Sequence, residues 1–106
     1  MPQQKERILF YNTSVVQYQS AASIVVDKYC NGVTVINTGT TVMRANQIPL
    51  NPGTPGTNNG ESWTFGGNRG EVYSGRIDIS FTTGAGSALV IQKIYIPELC
   101  NRDIEL

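Results

Sequence analysis

The chain contains no histidine. That absence removes the commonest general base, the usual serine and cysteine triads, and most zinc sites. Only two cysteines are present, Cys30 and Cys100, too far apart in sequence to form a metal-binding pair. Charge is also sparse. Only 15% of residues are charged, against ~25% in an average domain, and the formal net charge is zero. A chain with no excess of positive charge has no electrostatic reason to bind nucleic acid or an anionic membrane. Apolar runs stop at four or five residues, too short for a membrane-spanning helix. No stretch repeats apolar residues with the spacing of an amphipathic helix; the terminal "PELCNRDIEL" is expected to form a turn or two at most. The opening "MPQQKERILF" lacks the apolar centre of an export signal, so no export is expected. Both thiols are therefore expected to be reduced and half-buried. A disulfide between them would close a loop of about seventy residues, worth roughly 4 kcal/mol in the chain-entropy model.

What is present is a strand-forming sequence of one-domain length. The 106 residues are 40% apolar, enough for a single modest core, while Asn, Thr, Ser and Gly fill roughly a third of the positions. "SIVVDKYC" (23–30) and "VTVIN" (33–37) are rich in β-branched residues and flank Asn31-Gly32. That pair suits a two-residue hairpin turn, which would put Cys30 opposite Val33 and Lys28 opposite Val35. A second hairpin is expected from "VTVIN" through Gly39 into "TVMRAN". "GRIDISFTT" (75–83) alternates, with Ile77, Ile79 and Phe81 on one face and Arg76, Asp78 and Ser80 on the other. "ALVIQKIYI" (88–96) is apolar on both faces, as in a central or covered strand, and Pro97 closes it. "RILFYN" and "SVVQYQ" read as two short strands or one bent one. Seven to eight short strands with frequent turn signals predict an all-β antiparallel sandwich over 1–106, jelly-roll or immunoglobulin-like, with the termini as extended arms; a small barrel is the alternative.

The segment Leu50–Glu71 carries most of the glycines and the only tryptophan. "GGNRG" lacks the Gly-Lys-Ser/Thr ending of a phosphate loop, and no following helix presents an amino end to an anion. Asn51, Asn58, Asn59 and Glu61 offer oxygens, but a single carboxylate is poor provision for calcium. Pro52-Gly53, Pro55-Gly56 and Asn59-Gly60 instead suit chain reversals. Trp63 and Phe65, two apart, share one face of a strand: either core filling or a partly exposed aromatic platform. Arg69 and Glu71 follow on a glycine-flanked tip, with Tyr73 just beyond. Trp63, Phe65, Arg69, Glu71 and Tyr73 are the candidate interaction surface. No pair of acids stands out as a glycosidase pair, so no catalytic residue, metal site or cofactor is expected.

The order from Val33 to Thr82 ("VINTGTT", "NQIPLNPG", "ESWTFGGNRGEV", "GRIDISF") resembles small β-sandwich auxiliary or decoration proteins in the virions of tailed bacteriophages. It resembles especially those of phages infecting Bacteroidota, including the crAss-like group. The resemblance covers about half the chain and rests on short elements shared with many sandwich modules. It implies a structural, non-enzymatic part of the particle, made in the host cytoplasm and located in the virion. Its partners would be copies of itself, the major capsid protein or another virion component, with or without a place near the fibres. The same elements occur in carbohydrate-binding sandwiches, which makes a glycan, held by Trp63, Tyr73 and neighbouring asparagines, the alternative partner. A factor that acts during assembly and then leaves is a third reading.

Overall fold

In the computed structural model, residues 5–7, 9–54, 60–82, 86–97 and 103–105 are described, with side chains from residue 9 to residue 97. Ten strands follow one another: β1 (Lys5–Arg7), β2 (Tyr11–Tyr18), β3 (Ala22–Val25), β4 (Cys30–Asn37), β5 (Met43–Ala45), β6 (Ile48–Leu50), β7 (Ser62–Gly66), β8 (Arg76–Phe81), β9 (Ala88–Tyr95) and β10 (Asp103–Glu105). Two four-stranded antiparallel sheets form, ordered β2-β9-β4-β7 and β3-β8-β5-β6. We call them the first and second sheet. β1 and β10 pair as a separate two-stranded ribbon.

The pairing is nested. β5 pairs β6, β4 pairs β7, β3 pairs β8, β2 pairs β9 and β1 pairs β10. One long antiparallel hairpin rolled into two layers produces this order, and it is the jelly-roll form of the sandwich. The all-β sandwich expected from the alternation is thus present, in eight strands and two sheets. The terminal segment 103–105, expected to be at most a helical turn or two, is a strand. Its partner is the opposite end of the chain, a contact with no local sequence signature.

The roll also corrects both expected hairpins. Asn31-Gly32 is no turn: it lies inside β4, while β3 belongs to the other sheet. The reversal comes earlier, at "DKYC", where the Cys30 amide donates to the Asp27 carbonyl (3.0 Å) and Asp27 Oδ1 accepts from the Tyr29 amide (2.8 Å). Aspartate suits the first position of such a turn. Likewise β4 and β5 do not pair. Asn37 ends β4, and the chain crosses to the second sheet through Thr38 and Gly39. Among the described residues only β5 and β6 are joined by a two-residue turn, Asn46-Gln47, both with positive φ (47° and 70°).

Inward-facing residues of both sheets make the core. Cys30, Val33, Val35, Ala88 and Val90 from the first meet Ile24, Met43, Ala45, Leu50, Ile77 and Ile79 from the second. Each large aliphatic side chain buried there contributes about 1.5–3 kcal/mol. The alternation read along β8 holds for Ile77 and Ile79, with Phe81 half-buried at the margin. β9 is central in its sheet, as its two apolar faces required.

Two buried asparagines tie the crossings. Asn37 Nδ2 donates to the carbonyls of Thr41 (2.9 Å) and Leu50 (2.8 Å), and its Oδ1 accepts from the Gly39 amide (3.0 Å). Satisfying every polar atom of a buried amide is what makes its burial affordable. Asn31 is the extra residue of a bulge, since Cys30 faces Ile94 and Gly32 already faces Lys93. Gly32 is needed for close approach: a Cβ there would stand 2.7 Å from the Gly67 nitrogen.

Candidate functional site

The segment that begins at Leu50 is the link from the second sheet to the first. Its mouth is cinched by Asn51 and Glu61. The Glu61 amide donates to the Asn51 carbonyl (2.9 Å), and the Asn51 amide donates to Glu61 Oε1 (2.7 Å). Glu61, the one acid among the oxygens considered for calcium, is therefore engaged in closing a loop. Asn58, Asn59 and the expected reversal at Pro55-Gly56 lie outside the described residues, and Asn59-Gly60 is described only at Gly60. Among the described residues no group of three or more Cys, Asp or Glu gathers as a metal site.

β7 then carries the aromatic residues. Val35 faces Trp63 and Val33 faces Phe65, and opposite residues in an antiparallel pair share a face. Trp63 and Phe65 thus point to the core side of the first sheet. Yet Trp63 is 48% exposed while its partner Val35 is fully buried. β7 is the sheet edge, so the tryptophan overhangs the core instead of filling it. Phe65 is half-buried against the core, with the Tyr73 ring 6.1 Å away at 44°. Of the two readings of this pair, each applies to one residue.

Gly66 and Gly67 (φ 70° and 99°) break the strand and start the tip. A tight turn follows, in which the Glu71 amide donates to the Asn68 carbonyl (3.1 Å) and Asn68 Nδ2 to Glu71 Oε1 (3.2 Å). Arg69 sits exposed at the apex. The tip is held from beneath. Asn31 Nδ2 lies 2.7 Å from the Asn68 carbonyl, 3.0 Å from the Glu71 carbonyl and 2.9 Å from the Tyr95 hydroxyl, which itself donates to the Glu71 carbonyl (2.8 Å). The Tyr73 amide donates to the Cys30 carbonyl (2.8 Å), fixing the far end. The structure brings Phe65 and Tyr73 into ring contact and places Trp63 on the same side. Arg69 and Glu71 lie on the adjoining braced loop.

Asn31 was legible only as a turn residue, because its role depends on a loop some forty positions away. A second surface was half legible. On the outer side of the first sheet, Val15, Ile91, Thr34 and Thr64 occupy one register row, and Gln17, Leu89, Ile36 and Ser62 the next. These two rows hold no charged side chain. Lys93 stands in the row beyond, its ammonium 4.1 Å from the centre of the Tyr11 ring. The signal for this face was the two-sided apolarity of β9.

Cys30 is fully buried and free, its Sγ donating to the Gly32 carbonyl (3.3 Å). Burial pushes its pKa up, with the Asp27 charge adding to the shift. Cys100 lies outside the described residues. On the outer side of the second sheet, a depression of about 350 Å³ is lined by Arg44, Asn46, Gln47, Asp78, Ile79 and Ser80. Its polar groups largely serve one another: Asn46 Nδ2 donates to the Arg76 carbonyl (3.0 Å), the Asp78 amide to Asn46 Oδ1 (2.7 Å), and Ser23 to Asp78 Oδ1 (2.7 Å). Comparison of this chain with protein-family models, curated proteins and solved structures returns no match.

Proposed function

We propose that this chain is a non-catalytic structural protein, a capsid decoration or fibre-associated part of a bacteriophage particle, acting by adhesion to other polypeptides. The observation that carries the reading is the uncharged outer face of the first sheet. Val15, Ile36, Leu89 and Ile91 face outward there in adjacent rows, with no third layer over them among the described residues. Apolar patches of this kind mark contact surfaces more often than catalytic ones. The sequence resemblance supplies the particle as the setting. The jelly roll agrees at the level of analogy only, since capsid proteins share that architecture with lectins and many others.

Mass spectrometry of density-purified particles tests the reading. The chain is expected at a fixed ratio to the major capsid protein and retained through washing. Its absence from particles, with presence in the infected-cell lysate, would favour the assembly factor that leaves.

Trp63 favours one alternative, a carbohydrate-binding module. A half-exposed indole is a platform on which a sugar ring stacks, and the Phe65–Tyr73 ring pair lies on the same side of the sheet. Glycan-array binding that disappears in Trp63→Ala, with the circular dichroism spectrum unchanged, would establish it. Silence across the array would dismiss it.

A further inference from the structure

Each sheet has two edges, and the four edges differ. In the second sheet β3 is four residues long, and β6 is three residues long with Pro49 at its centre. In the first sheet β7 is five residues long and is broken at its end by the positive φ of Gly66 and Gly67. Shortness, proline and a kinked end all prevent a further strand from adding. β2 has none of these protections. It runs for eight residues, "YNTSVVQY", without charge, proline or glycine.

The ladder parity identifies the groups it presents. The Ile96 amide donates to the Phe10 carbonyl (2.9 Å), so even-numbered residues of β2 bond to β9. The amides and carbonyls of Thr13, Val15 and Gln17 point the other way, to the open side. The neighbours Val15 and Val16 are 56% and 43% exposed, although they point to opposite faces of the sheet. A partner lying on one face covers only one of them. A strand added at the edge covers both.

We infer that β2 pairs antiparallel with β2 of a second copy of this chain across a two-fold axis, joining two four-stranded sheets into one of eight. This rests on the adhesive reading above and names one of its partners. The second copy is indicated because the strand is neutral: pairing a strand with its own copy brings the same set of side chains together across the axis, which like charges among them would oppose, and β2 has none. A two-fold normal to the sheet keeps outer face beside outer face, so odd residues must oppose odd ones. Centred on Val15, this sets Val15 against its own copy and Thr13 against Gln17. Those three residues then supply the inter-copy backbone hydrogen bonds. On the inner face Val16 lies beside Ser14 of the second copy.

Sedimentation equilibrium over a wide concentration range tests the inference. The wild-type chain is expected to move from 11.6 kDa toward twice that mass as concentration rises. Val15→Lys places like charges in contact at the axis. Val15→Pro removes an amide that points away from β9, and so leaves the existing ladder whole. Both variants are expected to stay at the monomer mass with unchanged circular dichroism. Val15→Cys is expected to form a disulfide-linked dimer under mild oxidation, whereas Thr64→Cys on the far edge is not; this arm decides the matter should a blocking variant misfold. A wild-type chain that stays monomeric throughout, or a dimer indifferent to these substitutions, overturns the inference. If such a monomer is still found in purified particles, the edge pairing alone has failed.

Discussion

Asn31 and Cys30 are consecutive residues with opposite duties. The amide of Asn31 reaches out to three oxygens and holds the 68–71 tip, whereas the Cys30 thiol is sealed in the core. Because burial raises the Cys30 pKa, the folded state favours the neutral thiol more than the unfolded chain does. Its stabilising contribution is thus complete below the unfolded value, about 8.5, and is lost as pH rises through the folded value. Urea midpoints of wild type and Cys30→Ala, compared between pH 7 and pH 10, should show the larger fall in wild type. Equal falls would mean that the thiol ionises as readily folded as unfolded. Nothing in the residues around Asn31 announces its role. Asn-Gly is a strong turn signal when judged by neighbours, but here the amide serves a distant loop and the glycine lets two backbones approach.

At the scale of elements, strands were readable and their partners were not. The alternation in β8 and the two-sided apolarity of β9 follow from burial alone, so the residues announce them. Pairing in a jelly roll joins strands far apart in the chain, and successive strands change sheets at almost every step. Local turn chemistry then misleads, as it does for β3 with β4 and for β4 with β5. The one tight hairpin among the described residues, β5–β6, turns on Asn46-Gln47, and glutamine is a poor residue at φ 70°. Gln47→Gly relieves that conformation and is expected to stabilise the fold by about 0.5–1 kcal/mol, seen as a raised thermal midpoint. A lowered midpoint would mean that the Gln47 side chain makes a compensating contact. Of the candidate site, the sequence indicated that Trp63 and Phe65 share a face. It gave no indication that the edge position of β7 would expose one and shelter the other.

The whole molecule is a slab with two kinds of surface. The outer side of the second sheet carries Arg44, Arg76 and Asp78, charges whose covering would cost desolvation. The outer side of the first sheet is neutral across two rows and ends in the open β2 edge. Adhesion through that face is the account's main claim, and it separates from folding because the residues concerned lie outside the core. Leu89→Lys and Thr64→Lys each introduce a charge into that face; Thr64 is already exposed, so its replacement tests the surface with little cost to packing. The most direct measurement is co-sedimentation of the purified chain with particles stripped of it, for wild type and these two variants. Saturable binding by the wild type and loss of binding in both variants are expected, with the thermal midpoint retained for Thr64→Lys. Undiminished binding by both variants, or no binding by the wild type, would contradict it.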